Sequence, residues 1–336
     1  MTLSTSDHAP ETENAARRQI QWGRIAESYA LVASLVVLFL IFAALEPQSF
    51  FSWANVSTML GSQSILVFLT LALIIPLTAG DFDLSVAAVL TLAAMTVAVL
   101  NARMGLSLGL AIPAALLVGA VVGVINAFFI LTFRIPSLIV TLGTGTFING
   151  IVLWMSNSAT IGGIDFALVN WVVAVRLFGI PLAFYYALIM CLVIWYVFGF
   201  TTLGRRLLFV GRGREVARLS GIAVDRVRFG ALMCSSVMAA LAGVIYAGTI
   251  GAADPNSGNS FLLPAFAAAF LGATAITPGR FNPIGSLVAV YFLVTGITGL
   301  TMMGMQSFVQ NLFYGGALVL AVALSQLVRK RSAQDF

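Results

Sequence analysis

One apolar stretch follows another along this chain, and each is ended by a short polar break. A helix of ~20 apolar residues crosses the ~30 Å hydrocarbon layer of a bilayer. In that layer each backbone N–H and C=O must be satisfied within the protein, so long apolar runs fold as helices. The stretches fall at about 28–45, 59–79, 84–100, 106–130, 137–156, 181–200, 229–249, 261–276, 284–303 and 308–328. The expected fold class is therefore all-α: a polytopic integral membrane protein of about ten transmembrane helices, with broken helices near the centre. The eighth stretch is short and interrupted by Pro264. Composition agrees, because only 9% of residues are charged, against about 25% in soluble domains.

The polar breaks orient the chain. With the N-terminus in the cytoplasm and the spans alternating, all but Arg103 and Arg176 of the 17 lysines and arginines fall on the inside. Cytoplasmic loops carry such an excess. The basic clusters at Arg17, Arg18 and Arg24, at Arg205 to Arg228, and at Arg329, Lys330 and Arg331 are thus read as topology signals rather than as a nucleic-acid surface. This gives a cytoplasmic tail over 1–28, a membrane domain over 29–328 with a cytoplasmic segment at about 201–228, and a cytoplasmic tail over 329–336. Residues 1–28 lack an apolar core before Tyr29, so no cleavable signal peptide is expected.

Several chemistries lack material. A Walker A loop needs a Gly-Lys pair, and the one lysine, Lys330, follows Arg329. His8 is the only histidine, so acid–base catalysis through histidine and metal catalysis have almost nothing to use. Cys191 and Cys234 sit in separate apolar runs and read as buried free thiols. No enzyme activity, metal or cofactor is expected.

Three features remain. The break Ala79-Gly80-Asp81-Phe82-Asp83-Leu84-Ser85 puts two carboxylates between the second and third spans. An acidic residue at membrane depth is costly unless paired, hydrated or capping. The break therefore reads either as a substrate or gating site or as a cap, in which Asp83 accepts backbone N–H groups opening the next helix. Gly279-Arg280-Phe281-Asn282 echoes Gly80-Asp81-Phe82-Asp83 six spans later, and transporters are often built from internal repeats. In the basic segment, Glu215 to Leu219 favours a short helix and Gly221 fits its stop. That helix is either a docking element for a cytoplasmic partner or a solvated loop. Asn126, Thr141, Thr144, Thr146, Asn149 and Ser286 lie inside spans, where they can bond neighbouring helices or line a polar route.

These patches together resemble the ribose-type, binding-protein-dependent permeases of ATP-binding cassette (ABC) importers, which serve sugars and related small molecules. The resemblance runs from about Asn55 to Leu327. Ala79 to Val86 is similar to that family's Gly-Ile-Asp-Leu-Ser-Val turn. Ile135-Pro136-Ser137 through Thr144 is similar to its fifth-span entry. Glu215 to Ile222 is similar to its ATPase-contacting loop. Phe270 to Thr274 with Pro278 to Asn282 is similar to its connection between spans eight and nine. The resemblance implies a permease subunit in a bacterial cytoplasmic membrane. Its partners would be a cytoplasmic ABC ATPase, a second permease (identical or different), a periplasmic or extracellular binding protein, and membrane lipid. It assigns ATPase coupling to Glu215, Ala217, Ser220 and Gly221. A central path is expected near Asp83, Ser85, Asn126, Thr141 and Asn149. The chain departs from the family at Asp81, where a small residue is common, at Ala87-Ala88, where Gly-Ser is common, and at Phe261-Leu262-Leu263, where many sugar permeases carry a glutamate. Two alternatives stay open: an ion-coupled secondary transporter using Asp81 and Asp83, and a membrane scaffold.

Overall fold

The computed structural model describes residues 28–306 and 308–334. The N-terminal tail with His8, Arg17, Arg18 and Arg24 lies outside them. Among the described residues, nine helical segments are long and apolar enough to cross a membrane. In chain order these are α1 (Ser28–Leu45), the joined pair α2 (Trp53–Ser62) and α3 (Ser64–Thr78), and α4 (Val86–Ala98) with its π-helical end through Arg103. There follow α5 (Leu108–Thr132), α6 (Ser137–Ser156), α8 (Leu182–Phe200), α11 (Val224–Ile250), α13 (Pro283–Met302) and α14 (Phe308–Gln334). A short α7 (Phe166–Val169) lies before α8. Between α8 and α11 run α9 (Thr202–Arg212) and α10 (Arg214–Leu219).

The remaining expected span, the eighth in chain order, is α12 (Asn259–Gly272), with Pro264 inside it. Its 14 residues extend only about 21 Å at ~1.5 Å per residue, short of the hydrocarbon thickness. It starts inside the bundle, because the Gly258 N–H donates to Thr91 Oγ1 of α4 at 3.0 Å, a buried bond.

The core follows from sequence around each helix. α3 and α4 are apolar on all sides and wholly buried, as expected of helices at the centre of a bundle. In contrast, α1 and α14 are mostly exposed and turn apolar side chains outward. α11 packs on α3, α4 and α5. Its approach to α5 depends on small residues, since a β-carbon at Gly123 would lie 2.8 Å from the Met233 Cα. Close backbone approach through glycine is a common way to join membrane helices. Among the described residues, strand structure is limited to two-residue pairs, such as Ile161–Gly162 with Ala252–Ala253. The expectation of two buried thiols is half corrected: Cys191 is buried, but Cys234 lies on the outward face of α11.

Candidate functional site

The α3–α4 turn is where the sequence puts its charge, and the structure shows what answers it. α3 ends in a left-handed Gly80 (φ 79°). The Gly80 N–H donates to the Leu77 carbonyl and the Asp81 N–H to the Pro76 carbonyl. This closes the orphan carbonyls of the helix end and reverses the chain.

The two carboxylates then face different surroundings. Asp81 is 2% exposed and meets two guanidinium groups. Arg228, in the first turns of α11, grips it with both ends of its fork: Nε to Oδ2 and Nη2 to Oδ1, each at 2.7 Å. Arg214, the first residue of α10, donates through Nη2 to Asp81 Oδ1 at 2.9 Å and to the Gly80 carbonyl at 2.8 Å. Burying a carboxylate is tolerable when it is paired and hydrogen-bonded in this way.

Among the described residues, no cation pairs with Asp83. It is fully buried and is held by neutral donors. The Ser85 N–H and hydroxyl both donate to Oδ1, at 3.1 and 2.6 Å, and the Ser235 hydroxyl of α11 donates to Oδ2 at 3.0 Å. Asn126 Nδ2 of α5 donates to Ser85 Oγ at 2.9 Å. On the α6 side, Ser137 Oγ accepts from the Phe82 N–H and Thr141 Oγ1 from the Leu84 N–H, each at 3.0 Å. Three helices therefore hold one turn. Asn126 Oδ1 is buried without a partner among the described residues.

Four of the five expected path residues, Asp83, Ser85, Asn126 and Thr141, thus join one network with no exposed surface in this conformation. Asn149 stands apart on α6. It is half-buried and makes no side-chain hydrogen bond among the described residues.

The short helix expected in the basic segment is α10. Ala217 faces inward onto Val210 and Val224, while Glu215 and Ser220 are exposed. Gly221 (φ 78°) closes the helix: its N–H reaches the Arg218 carbonyl, and the Ile222 N–H reaches that of Ala217. Val216 is 59% and Leu219 87% exposed, so two aliphatic side chains stand out from an otherwise charged segment.

Sequence reasoning missed Arg214, Arg228, Ser137 and Ser235 as partners of the turn, and Val216 and Leu219 as surface groups. The last two carried a signal, namely apolar residues among arginines.

Residues 55–322 match the family described as branched-chain amino acid transport system / permease component. The chain belongs to this family. The match covers most of the stretch over which the resemblance was drawn. As a member of a permease family it is a transport subunit and a multi-pass inner-membrane protein. Among relatives, it is 28% identical over 320 residues to the D-allose transport system permease protein AlsC of Escherichia coli (strain K12), covering 95% of this chain and 98% of that one. It is 31% identical over 308 residues to the autoinducer 2 import system permease protein LsrD of Photorhabdus laumondii, covering 89% and 91%. The LsrD protein of Salmonella paratyphi A is 30% identical over 310 residues, covering 90% and 92%. No solved structure matches.

Proposed function

We propose that this chain is the membrane-spanning subunit of an ABC importer for a sugar or a related small polar solute. An extracytoplasmic binding protein delivers the solute, a separate cytoplasmic ATPase drives alternating access, and a second permease, identical or different, completes the pore. The observation that carries this reading is α10. It is a short, capped helix that offers Val216 and Leu219 to the solvent beside Glu215 and Ser220. Val216 and Leu219 offer apolar area whose burial against a protein partner would be favourable. Ala217 and Gly221 serve that surface from beneath and from the end, by packing and by turn geometry.

The solute class rests on the relatives, one a permease for D-allose and others for autoinducer 2. The distribution of basic residues supports a cytoplasmic side for both termini. On the path, Asn149 offers an amide that no described neighbour occupies. Asp83, Ser85, Asn126 and Thr141 brace the α3–α4 turn close to that path.

An ion-coupled transporter would need a carboxylate free to take a proton or sodium ion. Asp81 fits that role poorly, being already engaged by two guanidinium groups, and both oxygens of Asp83 already accept from Ser85 and Ser235.

Purification of the tagged chain from its native membranes tests the proposal. An ATPase subunit should copurify, and proteoliposomes should take up solute only with ATP and the binding protein present. Transport by the single chain, with no ATPase recovered, would overturn it.

A further inference from the structure

We propose that Asp81 is the positioning carboxylate through which movement of the ATPase-docking helix reaches the membrane helices. This deepens the importer reading and rests on it.

The contacts form a continuous path. Arg214 opens α10, which carries the docking surface. Its guanidinium holds Asp81 and the Gly80 carbonyl. Two and four residues further on, Asp83 and Ser85 are tied to α11 and α5, and the intervening N–H groups of Phe82 and Leu84 to α6. A displacement of the first turn of α10 therefore acts on the α3–α4 turn through charge-assisted hydrogen bonds. These are short and directional, unlike a loop that can flex.

The two arms differ in kind. Arg228 is 11% exposed and bidentate. Releasing it would leave a buried charge without its partner, which is strongly unfavourable. Arg214 is 41% exposed, so water can replace its bonds at little cost. Arg228 is thus the fixed arm, keeping the turn on α11 through the cycle. Arg214 is the exchangeable arm, engaged or released as the docking helix moves. An acid used only to neutralise Arg228 would not need the second guanidinium or its bond to the Gly80 carbonyl.

The test uses the assembled permease, ATPase and binding protein in nanodiscs. Cys191 and Cys234 are changed to serine, and an environment-sensitive fluorophore is placed at Leu138→Cys. That position is exposed and follows Ser137, which holds the turn. ATP with vanadate should change the emission of the otherwise native assembly. Asp81→Asn should abolish this change while the ATPase still copurifies and still hydrolyses ATP. Asp81→Glu should restore it, and Arg214→Gln should diminish it. A full response in Asp81→Asn or in Arg214→Gln overturns the proposal. So does a parallel loss of ATPase binding, hydrolysis and response in Asp81→Asn, which marks a merely structural role. Should no ATPase copurify with the native chain, the importer reading itself falls, and this inference with it.

Discussion

Gly211, near the end of α9, lies directly against the backbone carbonyl of Thr78, the last residue of α3. A β-carbon there has no room, and the obstacle is backbone rather than a side chain that could swing aside. Gly211→Ala should therefore push the cytoplasmic segment away from the α3–α4 turn, costing about 1–3 kcal/mol as an overpacked contact does. Gly213 is the control. A β-carbon there meets only Val216 at 3.7 Å or more, and its extended backbone (φ −174°) suits any residue. Thermal unfolding in detergent should separate the two variants, with Gly213→Ala close to the parent.

The exposed face of α10 makes a different prediction, about association rather than stability. Leu219 is 87% exposed, so Leu219→Asp loses no packing in the isolated subunit. In an assembly that buries it, the same change removes up to about 1.5–3 kcal/mol of apolar burial and adds a charge. Recovery of the ATPase on a tagged permease should fall at least tenfold, with expression and melting temperature unchanged. Glu215→Lys and Gly221→Asp should also abolish uptake while membrane insertion survives; at Gly221 the left-handed backbone adds about 1–2 kcal/mol of strain. Normal ATPase recovery in Leu219→Asp would place the docking surface elsewhere.

Asp83 and its donors form a graded series. Ser235→Ala leaves Asp83 Oδ2 without its described donor and should cost about 1–3 kcal/mol. Asp83→Ala leaves the Ser85 N–H, Ser85 hydroxyl and Ser235 hydroxyl without their acceptor in a buried site. It should cost several times more, since each orphaned group carries about 1–3 kcal/mol. Asp83→Asn keeps the shape and one acceptor oxygen and should fall between. Melting temperatures in that order support a network that holds the turn; three equal values would mean that Asp83 is not its centre.

The membrane architecture was legible because hydrocarbon permits few solutions. Apolar runs, their breaks and the short eighth stretch with Pro264 each map onto a helix or a helix end. The site was legible in its parts and not in its joining. Asp81 stood out as unusual, but its partners lie 133 and 147 residues away in sequence. Arg214 and Arg228 were already accounted for by the inward bias of basic residues, so no signal remained to mark them as a pair. Ala217, which the resemblance assigns to ATPase coupling, lies inward of α10. Six residues were too short a pattern to reveal which side of that helix faces in.

The echo between Gly80-Asp81-Phe82-Asp83 and Gly279-Arg280-Phe281-Asn282 has a spatial counterpart. Both glycines are left-handed, at φ 79° and 84°. Asn282 caps α13 by accepting the Gly285 N–H at 2.6 Å, as Asp83 accepts the Ser85 N–H before α4. Both phenylalanines reach the same short helix: Phe82 stacks on Phe266 at 6.5 Å, and Phe281 meets Phe270 edge-on at 5.4 Å. Phe266 and Phe270 are four residues apart and share one face of α12. The short helix is thus gripped at adjacent positions by two matching turns. Double-mutant cycles test whether the grips are separate. Alanine pairs at Phe82 with Phe266 and at Phe281 with Phe270 should each show about 0.5–1.5 kcal/mol of coupling. The crossed pair Phe82 with Phe270 should stay below about 0.5 kcal/mol, the level at which independent sites add. Equal coupling in all three would mean that the rings act as one cluster, and that the repeat in sequence has no separate mechanical meaning.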